Sequence, residues 1–224
     1  GHQLVSGHIK AQRIEGWRRF CQQHPHAKIM CWRGGQRSRL AQQWLGEEGI
    51  FQERVSGGFK ALRNACLEIL ENPNKQWWLV SGSTGCAKTV LIQRLSQSID
   101  LEGLANHRGS AFGRRLTPQP TPATFENTLA VQYLKHQTES LIVEDESRTI
   151  GRIGLPLAWH AQMQQAPIAL VEASFEDRVE HIHQEYVVQA LIEYDDAGLS
   201  SSQLQASYEN AVERIKRRLG GVRL

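Results

Sequence analysis

The sequence predicts an α/β chain in two unequal parts, the second built on a mainly parallel sheet with flanking helices. Three observations predict it. Short apolar runs alternate with stretches of helical periodicity; two Gly-rich loops each follow an apolar run and open a helix; and the polar segment Glu71-Asn72-Pro73-Asn74-Lys75 separates one such unit from the next.

In chain order, residues 16–23 show helical periodicity, residues 27–31 form a short apolar run ending in a Gly-rich turn, and residues 38–45 return to helical periodicity. A second short strand is expected at residues 53–55. After Gly57-Gly58, residues 59–70 place Phe59, Leu62, Ala65, Cys66, Ile69 and Leu70 on one helical face. The polar segment then sets the boundary, giving domains 1–72 and 73–224. From Gln76 the pattern restarts with an apolar strand (Trp77, Trp78, Leu79, Val80), a Gly-rich loop and a helix over residues 90–96. A stretch carrying Arg108, Arg114 and Arg115 leads into a loop with Pro118, Pro120 and Pro122, expected at the surface or as a mobile lid. Strands are expected at residues 140–143 and 168–171, and helices at 176–193 and 203–219.

At 224 residues the chain exceeds one ordinary domain and falls short of two. Its apolar runs are far shorter than the ~20 residues of a membrane span, and its start shows no signal-peptide pattern, so no membrane partner and a cytoplasmic address are expected. Four cysteines, Cys21, Cys31, Cys66 and Cys86, form neither a disulfide framework nor the short spacing of a zinc site. No metal centre is expected from them, and at least one is free for chemistry. A net charge of +3 accommodates a nucleic-acid partner without requiring one.

The first Gly-rich loop reads Cys31-Trp32-Arg33-Gly34-Gly35-Gln36-Arg37-Ser38. Glycines at a strand-to-helix turn let backbone N–H groups converge on one point, which makes an anion site. The helix N-terminus, Arg33 and Arg37 should all favour a Cys31 thiolate, so Cys31 is the expected nucleophile. The second loop, Gly82-Ser83-Thr84-Gly85-Cys86-Ala87-Lys88-Thr89, follows an apolar strand and opens a helix, as a Walker A loop does. Its amides would cradle a diphosphate, Lys88 would neutralise charge, and Thr89 would hold Mg²⁺. Ala87 stands where such loops usually carry glycine. Downstream, Leu141-Ile142-Val143-Glu144-Asp145-Glu146 ends a strand in acids, and Asp145 or Glu146 would orient Mg²⁺ or a water.

The Cys31 loop resembles the active-site loop of rhodanese domains, and Val55-Ser56-Gly57-Gly58-Phe59-Lys60-Ala61-Leu62 is similar to the Gly-Gly turn near the end of that fold. Such domains carry sulfur or selenium on the cysteine. Cys31 and Arg37 also have the spacing of cysteine-dependent phosphatases, a loop size that would accept selenophosphate. The resemblance implies a rhodanese-like domain truncated at its N-terminus, since several strands precede the cysteine in that family.

A cysteine loop, a Gly-Gly turn and a phosphate loop in this order resemble the tRNA 2-selenouridine synthase family. The resemblance extends to residues 100–113, to Glu144-Asp145-Glu146-Ser147-Arg148-Thr149-Ile150-Gly151, and to Ile215-Lys216-Arg217-Arg218-Leu219-Gly220. It implies a transferase acting on the wobble 2-thiouridine of tRNA, replacing sulfur by selenium from selenophosphate through a geranylated intermediate. Selenophosphate and geranyl diphosphate would be co-substrates, with no tightly bound cofactor and Mg²⁺ as an optional ion. The phosphate loop would hold geranyl diphosphate and Cys31 would serve the selenium step. Contacts to tRNA or to phosphate would come from Arg108, Arg114, Arg115, Lys216, Arg217 and Arg218, and the family continues with more helical sequence beyond this chain's end. Three other readings stand beside it, one of them a non-enzymatic fragment that merely retains tRNA affinity. Phe175-Glu176-Asp177-Arg178 after a strand resembles the phosphate-contacting region of P-loop small-molecule kinases, and Cys31 would equally suit a phosphatase or sulfurtransferase joined to a nucleotide-sensing domain.

Overall fold

The computed structural model describes residues 7–216 and divides into two compact units, Gly1–Cys66 and Leu67–Leu224. In the first unit, helix α1 (Gly7–Gln23) and helix α2 (Gln36–Glu47) pack together, with Trp17 stacked on Trp44 at 6.4 Å between ring centroids. Lys10 and Arg18 on α1 reach Glu47 and Glu48, at 3.0 and 2.6 Å. Helix α3 (Gly58–Glu71) follows the Gly-Gly turn.

The runs at 27–31 and 53–55 do not form strands. They meet in one parallel bridge, Ile29 to Arg54, held by Ile29 N–H to the Glu53 carbonyl at 2.8 Å and Val55 N–H to the Ile29 carbonyl at 2.9 Å. Two segments this short, with no further partner strand among the described residues, have too few ladder bonds to extend.

The second unit is an α/β layer. Strand β1 (Gln76–Ser81) leads through the phosphate loop into α4 (Lys88–Arg94); β2 (Ser98–Ile99), α5 (Leu101–Ala105), α6 (Pro122–Lys135) and β3 (Ser140–Glu144) follow. A small antiparallel hairpin, β4 (Thr149–Ile150) and β5 (Ile153–Gly154), precedes α7 (Leu157–Met163) and β6 (Ile168–Leu170). Helix α8 (Phe175–His183) runs through a π-helical turn (Gln184–Val188) into α9 (Gln189–Asp196), and α10 (Ser201–Ile215) closes the described chain. The sheet order is β2-β3-β1-β6, all pairs parallel.

Strand β1 lies between β3 and β6, with Trp77, Leu79 and Val80 buried while Gln76 and Trp78 are exposed. Trp77 stands edge-on to the fully buried Trp159 of α7 at 4.8 Å, and Tyr133 of α6 reaches the same ring at 5.6 Å. The Tyr133 hydroxyl accepts from the Asn74 and Lys75 amides at 2.8 and 3.2 Å, which fixes the entry to β1.

Several elements depart from expectation. Pro122 does not prolong the proline loop; it opens α6 at a position where a missing N–H costs nothing, with Thr121 as N-cap. The helix expected over residues 176–193 is interrupted by the π turn, and the helix expected over 90–96 stops at Arg94. The helix expected over 203–219 is α10, and its last expected residues, with Arg217 and Arg218, lie outside the described residues.

Candidate active site

The two Gly-rich loops are described separately, each within its own unit. In the first, Cys31 stands just before α2, half-exposed, with its Sγ 3.3 Å from Ser38 Oγ. Gly34 takes φ +61°, and the Gly57-Gly58 turn lies directly against the loop: a Cβ on Gly58 would come within 1.9 Å of the Cys31 carbonyl oxygen. Phe59 N–H donates to that carbonyl at 3.0 Å, Lys60 N–H donates to the Trp32 carbonyl at 2.9 Å, and the Arg54 guanidinium donates to the Gly34 carbonyl. The two glycine motifs are therefore one folded device, and glycine is required at position 58 because no side chain fits there.

The Cys31 thiol is lowered to about 7, first by the Ser38 hydroxyl and then by the backbone amides of Ser38, Gly35 and Arg33, against partial desolvation. The Gly35 and Ser38 amides at the start of α2 act as the expected helix terminus, while Arg33 and Arg37 are exposed and the hydrogen bonds lead the lowering. In the resting arrangement Ser38 Oγ donates to the Gly35 carbonyl at 3.1 Å, so its proton must turn to the sulfur once the thiol ionises. Cys31 and Arg37 line a cavity of about 760 Å³ whose other walls include Trp17, Met30, Leu40 and Trp44.

In the second unit, residues 82–89 wrap a cavity of about 260 Å³ at the carboxyl ends of the strands. Gly82, Thr84, Gly85, Cys86, Ala87, Lys88 and Thr89 line it, and Ser83 belongs to the same turn. Ala87 adopts the left-handed conformation, φ 61° and ψ 31°, which glycine would take without strain. Cys86 is buried, with its Sγ 2.6 Å from where a Gly82 Cβ would lie, so its side chain packs against the backbone of the loop. Lys88 Nζ folds onto the Gly82 carbonyl at 2.8 Å.

Acids surround this loop. Ser81 Oγ donates to Asp145 at 2.6 Å, and Thr89 Oγ1 donates to Glu102 at 3.2 Å. Glu146 is pushed up to about 8, mainly by burial and then by the neighbouring Glu102, and Glu102 is itself raised by burial. Glu144, 1% exposed, accepts from Leu101 N–H at 2.9 Å and is pushed up to about 9 by burial, so it sits beneath the site as a neutral acid. Arg178 of α8 donates to the Thr84 carbonyl at 2.9 Å and braces the loop.

The sequence missed Glu102, Ser110, His181, Glu185 and Tyr186, all of which line the cavity. A π turn carries Glu185 and Tyr186, a geometry that recurs at functional sites and leaves no periodic signature. Arg108 lines the phosphate-loop cavity and not an outer surface. It is 8% exposed, its guanidinium lies 3.2 Å from Glu185 and 2.9 Å from Glu193, and it covers the Tyr186 ring at 5.8 Å. Opposite charges in α9 and the π turn hold it inside. The segment around it is tied down locally, since Arg108 N–H donates to the Gly113 carbonyl at 2.9 Å and His107 is buried, while Leu116, Thr117 and Pro118 are exposed as expected.

Arg114 is exposed, Arg115 is half-buried 3.9 Å from Glu193, and Lys216 pairs with Glu213 at 3.3 Å. Arg114 lines a groove of about 530 Å³ together with Arg152, Arg214 and His107, and Gly109 and Ser110 form a wall common to this groove and the phosphate-loop cavity.

A parallel sheet that delivers a phosphate loop, a lysine and an acidic strand end to one edge defines a P-loop-type phosphate-binding protein. Residues 75–224 match the family model described as the tRNA 2-selenouridine synthase AAA domain, and the chain belongs to that family. It is 47% identical over its whole length to a tRNA 2-selenouridine synthase of Marinobacter nauticus, covering 63% of that protein. Similar matches, 44% and 43% identical, are tRNA 2-selenouridine synthases of a Sulfurovum species and of Hahella chejuensis, of which it covers 63% and 61%. The chain thus spans somewhat under two thirds of these relatives. No solved structure matches it.

Proposed function

We propose that this chain is the portion of a tRNA-modifying transferase that handles both anions of a two-step exchange of sulfur for selenium on 2-thiouridine. The phosphate loop binds the diphosphate of geranyl diphosphate, and the geranyl group passes to the thiocarbonyl sulfur. Alkylation turns that sulfur into a better leaving group, and selenium from selenophosphate, handled by the rhodanese-like Cys31 loop of residues 1–72, displaces geranyl thiol. Residues 73–224 supply the phosphate-loop domain. The observation that carries this reading is the shared wall at Gly109 and Ser110, which puts a diphosphate-sized cavity beside a groove carrying Arg114, Arg152 and Arg214. Clustered cations suit a polynucleotide backbone, and the cavity suits a small anion donor.

Among the described residues no group of three or more His, Cys, Asp or Glu is disposed to hold a metal. Mg²⁺ at Thr89 and Asp145 would therefore draw its remaining ligands from the diphosphate and from water. Among those residues no helix is long and apolar enough to cross a membrane. A tRNA substrate suits the cytoplasmic address that the sequence leads one to expect.

The test incubates the chain with thiolated tRNA and geranyl diphosphate, with and without selenophosphate, and weighs the resulting nucleosides. Lys88→Ala should abolish the geranylated nucleoside, whereas Cys31→Ser should keep it and lose only the selenated one. Geranylation that survives Lys88→Ala, or disappears equally with Cys31→Ser, ends this assignment. The kinase reading has the Arg178 contact to Thr84 in its favour. Consumption of ATP with a phosphorylated product would decide for it.

A further inference from the structure

The basic groove has a neighbouring chamber that the steps above do not use. A cavity of about 700 Å³ adjoins the groove at His107, and its walls include Arg115, Thr117, Pro118, Pro120 and Tyr194. The groove itself, about 530 Å³, is lined by Gly109, Ser110 and Arg214 instead. Both volumes fall within the roughly 300–1,000 Å³ of small-ligand sites. His107, Arg114, Gln119 and Arg152 line both chambers. Among the described residues no Asp or Glu lines either one, whereas Glu102, Asp145, Glu146 and Glu185 line the adjacent phosphate-loop cavity.

The shared wall is tightly built. An antiparallel bridge joins His107 to Arg114. Gln119 Nε2 donates to the Ala105 and Ile150 carbonyls, both at 3.0 Å, and Gln119 Oε1 accepts from Arg152 N–H at 2.8 Å. These bonds clamp the β4–β5 turn against His107. Gly151 sits in that turn at φ +60°, where a Cβ would come within 2.3 Å of Gln119 Oε1 and 2.8 Å of His107 Cδ2. The backbone of Arg152 is thus fixed while its charge stays uncompensated: Arg114, Arg152 and Arg214 pair with no carboxylate among the described residues. His107 is 8% exposed, and its Nδ1 has no hydrogen-bond partner. Buried polar atoms are rarely left so, which points to a ligand at this wall.

We propose that the second chamber holds one unpaired nucleotide of the RNA strand, next in sequence to the base that lies in the groove. This rests on reading the groove as a polynucleotide site. Residues common to both chambers meet what two adjacent nucleotides share, which is the phosphodiester between them. Arg114 and Arg152 supply the charge for it. The Tyr194 ring and the Arg115 guanidinium plane offer faces on which the flanking base stacks. Such a chamber admits a splayed single strand and refuses a duplex, whose bases stay stacked and paired. Choice of an unpaired loop over paired RNA therefore lies in this chamber, while the groove presents the reacting base at Gly109 and Ser110, the wall of the phosphate-loop cavity.

The test measures binding of anticodon stem-loops containing 2-thiouridine by fluorescence anisotropy. One loop is intact, one lacks the base 5′ to the thiouridine, and one lacks the base 3′ to it. One of the two abasic loops should bind roughly 10-fold more weakly than the intact loop, the loss of one stacked base. Tyr194→Ala should weaken the intact loop to a similar degree and leave that abasic loop unaffected, while Tyr194→Phe keeps the affinity. Arg115→Ala reads the same chamber from another element, should the α9 variant fail to fold. Arg214→Ala, which borders only the groove, should weaken all three loops alike. Uridine 5′-monophosphate should compete poorly with the intact loop, and a dinucleotide containing 2-thiouridine should compete well. Equal binding of all three loops, a Tyr194→Ala loss that is the same for intact and abasic RNA, or equal competition by the mononucleotide overturns the subsite. An unaltered chain that binds no loop overturns the polynucleotide reading of the groove, and the subsite with it.

Discussion

The Thr89 hydroxyl donates to the Glu102 carboxylate over 3.2 Å, joining the end of the phosphate loop to the first turn of α5. Removing the hydroxyl with Thr89→Val should cost about 1 kcal/mol of stability, the net worth of one such bond. Glu102→Gln in the Thr89→Val background should then cost less than it does alone, because the bond is already gone. A double-mutant cycle in urea checks this, with a coupling of about 0.5–1 kcal/mol expected.

Ala87 occupies a left-handed conformation that costs an L-residue roughly 1–2 kcal/mol. Replacing it by glycine relieves that strain and returns about 0.4–1 kcal/mol to the unfolded chain as entropy. Ala87→Gly should therefore stabilise the protein by about 0.5–1 kcal/mol and leave the loop geometry unchanged. The midpoint of urea unfolding reads the shift.

Cys31 titrates near 7 because Ser38 and nearby amides stabilise its thiolate. Its alkylation by iodoacetamide should rise with pH and level off above a midpoint near 7. Ser38→Ala removes the largest stabilising contact and should move that midpoint upward, toward an ordinary thiol. Arg33→Ala and Arg37→Ala should move it less, since hydrogen bonds and not the guanidinium groups lead the lowering.

Glu144 is raised to about 9 by burial, far above the 4.5 of an exposed glutamate. A raised folded value makes its favourable contribution complete below pH 4.5 and progressively lost as pH climbs toward 9. Glu144→Gln abolishes that loss. The variant should gain on the unaltered protein as pH rises, by up to about 3 kcal/mol near pH 7 and little at pH 4.5. Thermal melts at pH 5 and pH 8 compare the two.

The phosphate loop was legible in the sequence because strand, turn and helix are contiguous there and each residue has a local reason. The acids around it were not. Glu102 meets Thr89 through folding of the intervening β2, and Tyr186 enters from a π turn that no helical period signals. Arg108 looked like a surface cation, since unpaired charges belong in water. Its carboxylate partners, Glu185 and Glu193, lie far along the chain and only the fold makes burial affordable. Pro122 misled in the other direction: prolines at 118 and 120 read as loop, and the third read as more of the same, although a first-turn proline starts a helix well.

All four strands of the main sheet run the same way, so the segments bearing Lys88, Glu102, Asp145 and Arg178 hang from a single rim. The packed slab around Trp77 and Trp159 lies below that rim and shares no residue with it. Substrate preference can therefore drift through exchange of rim residues over generations while the slab keeps its packing, and grafted rim loops should find the same foundation.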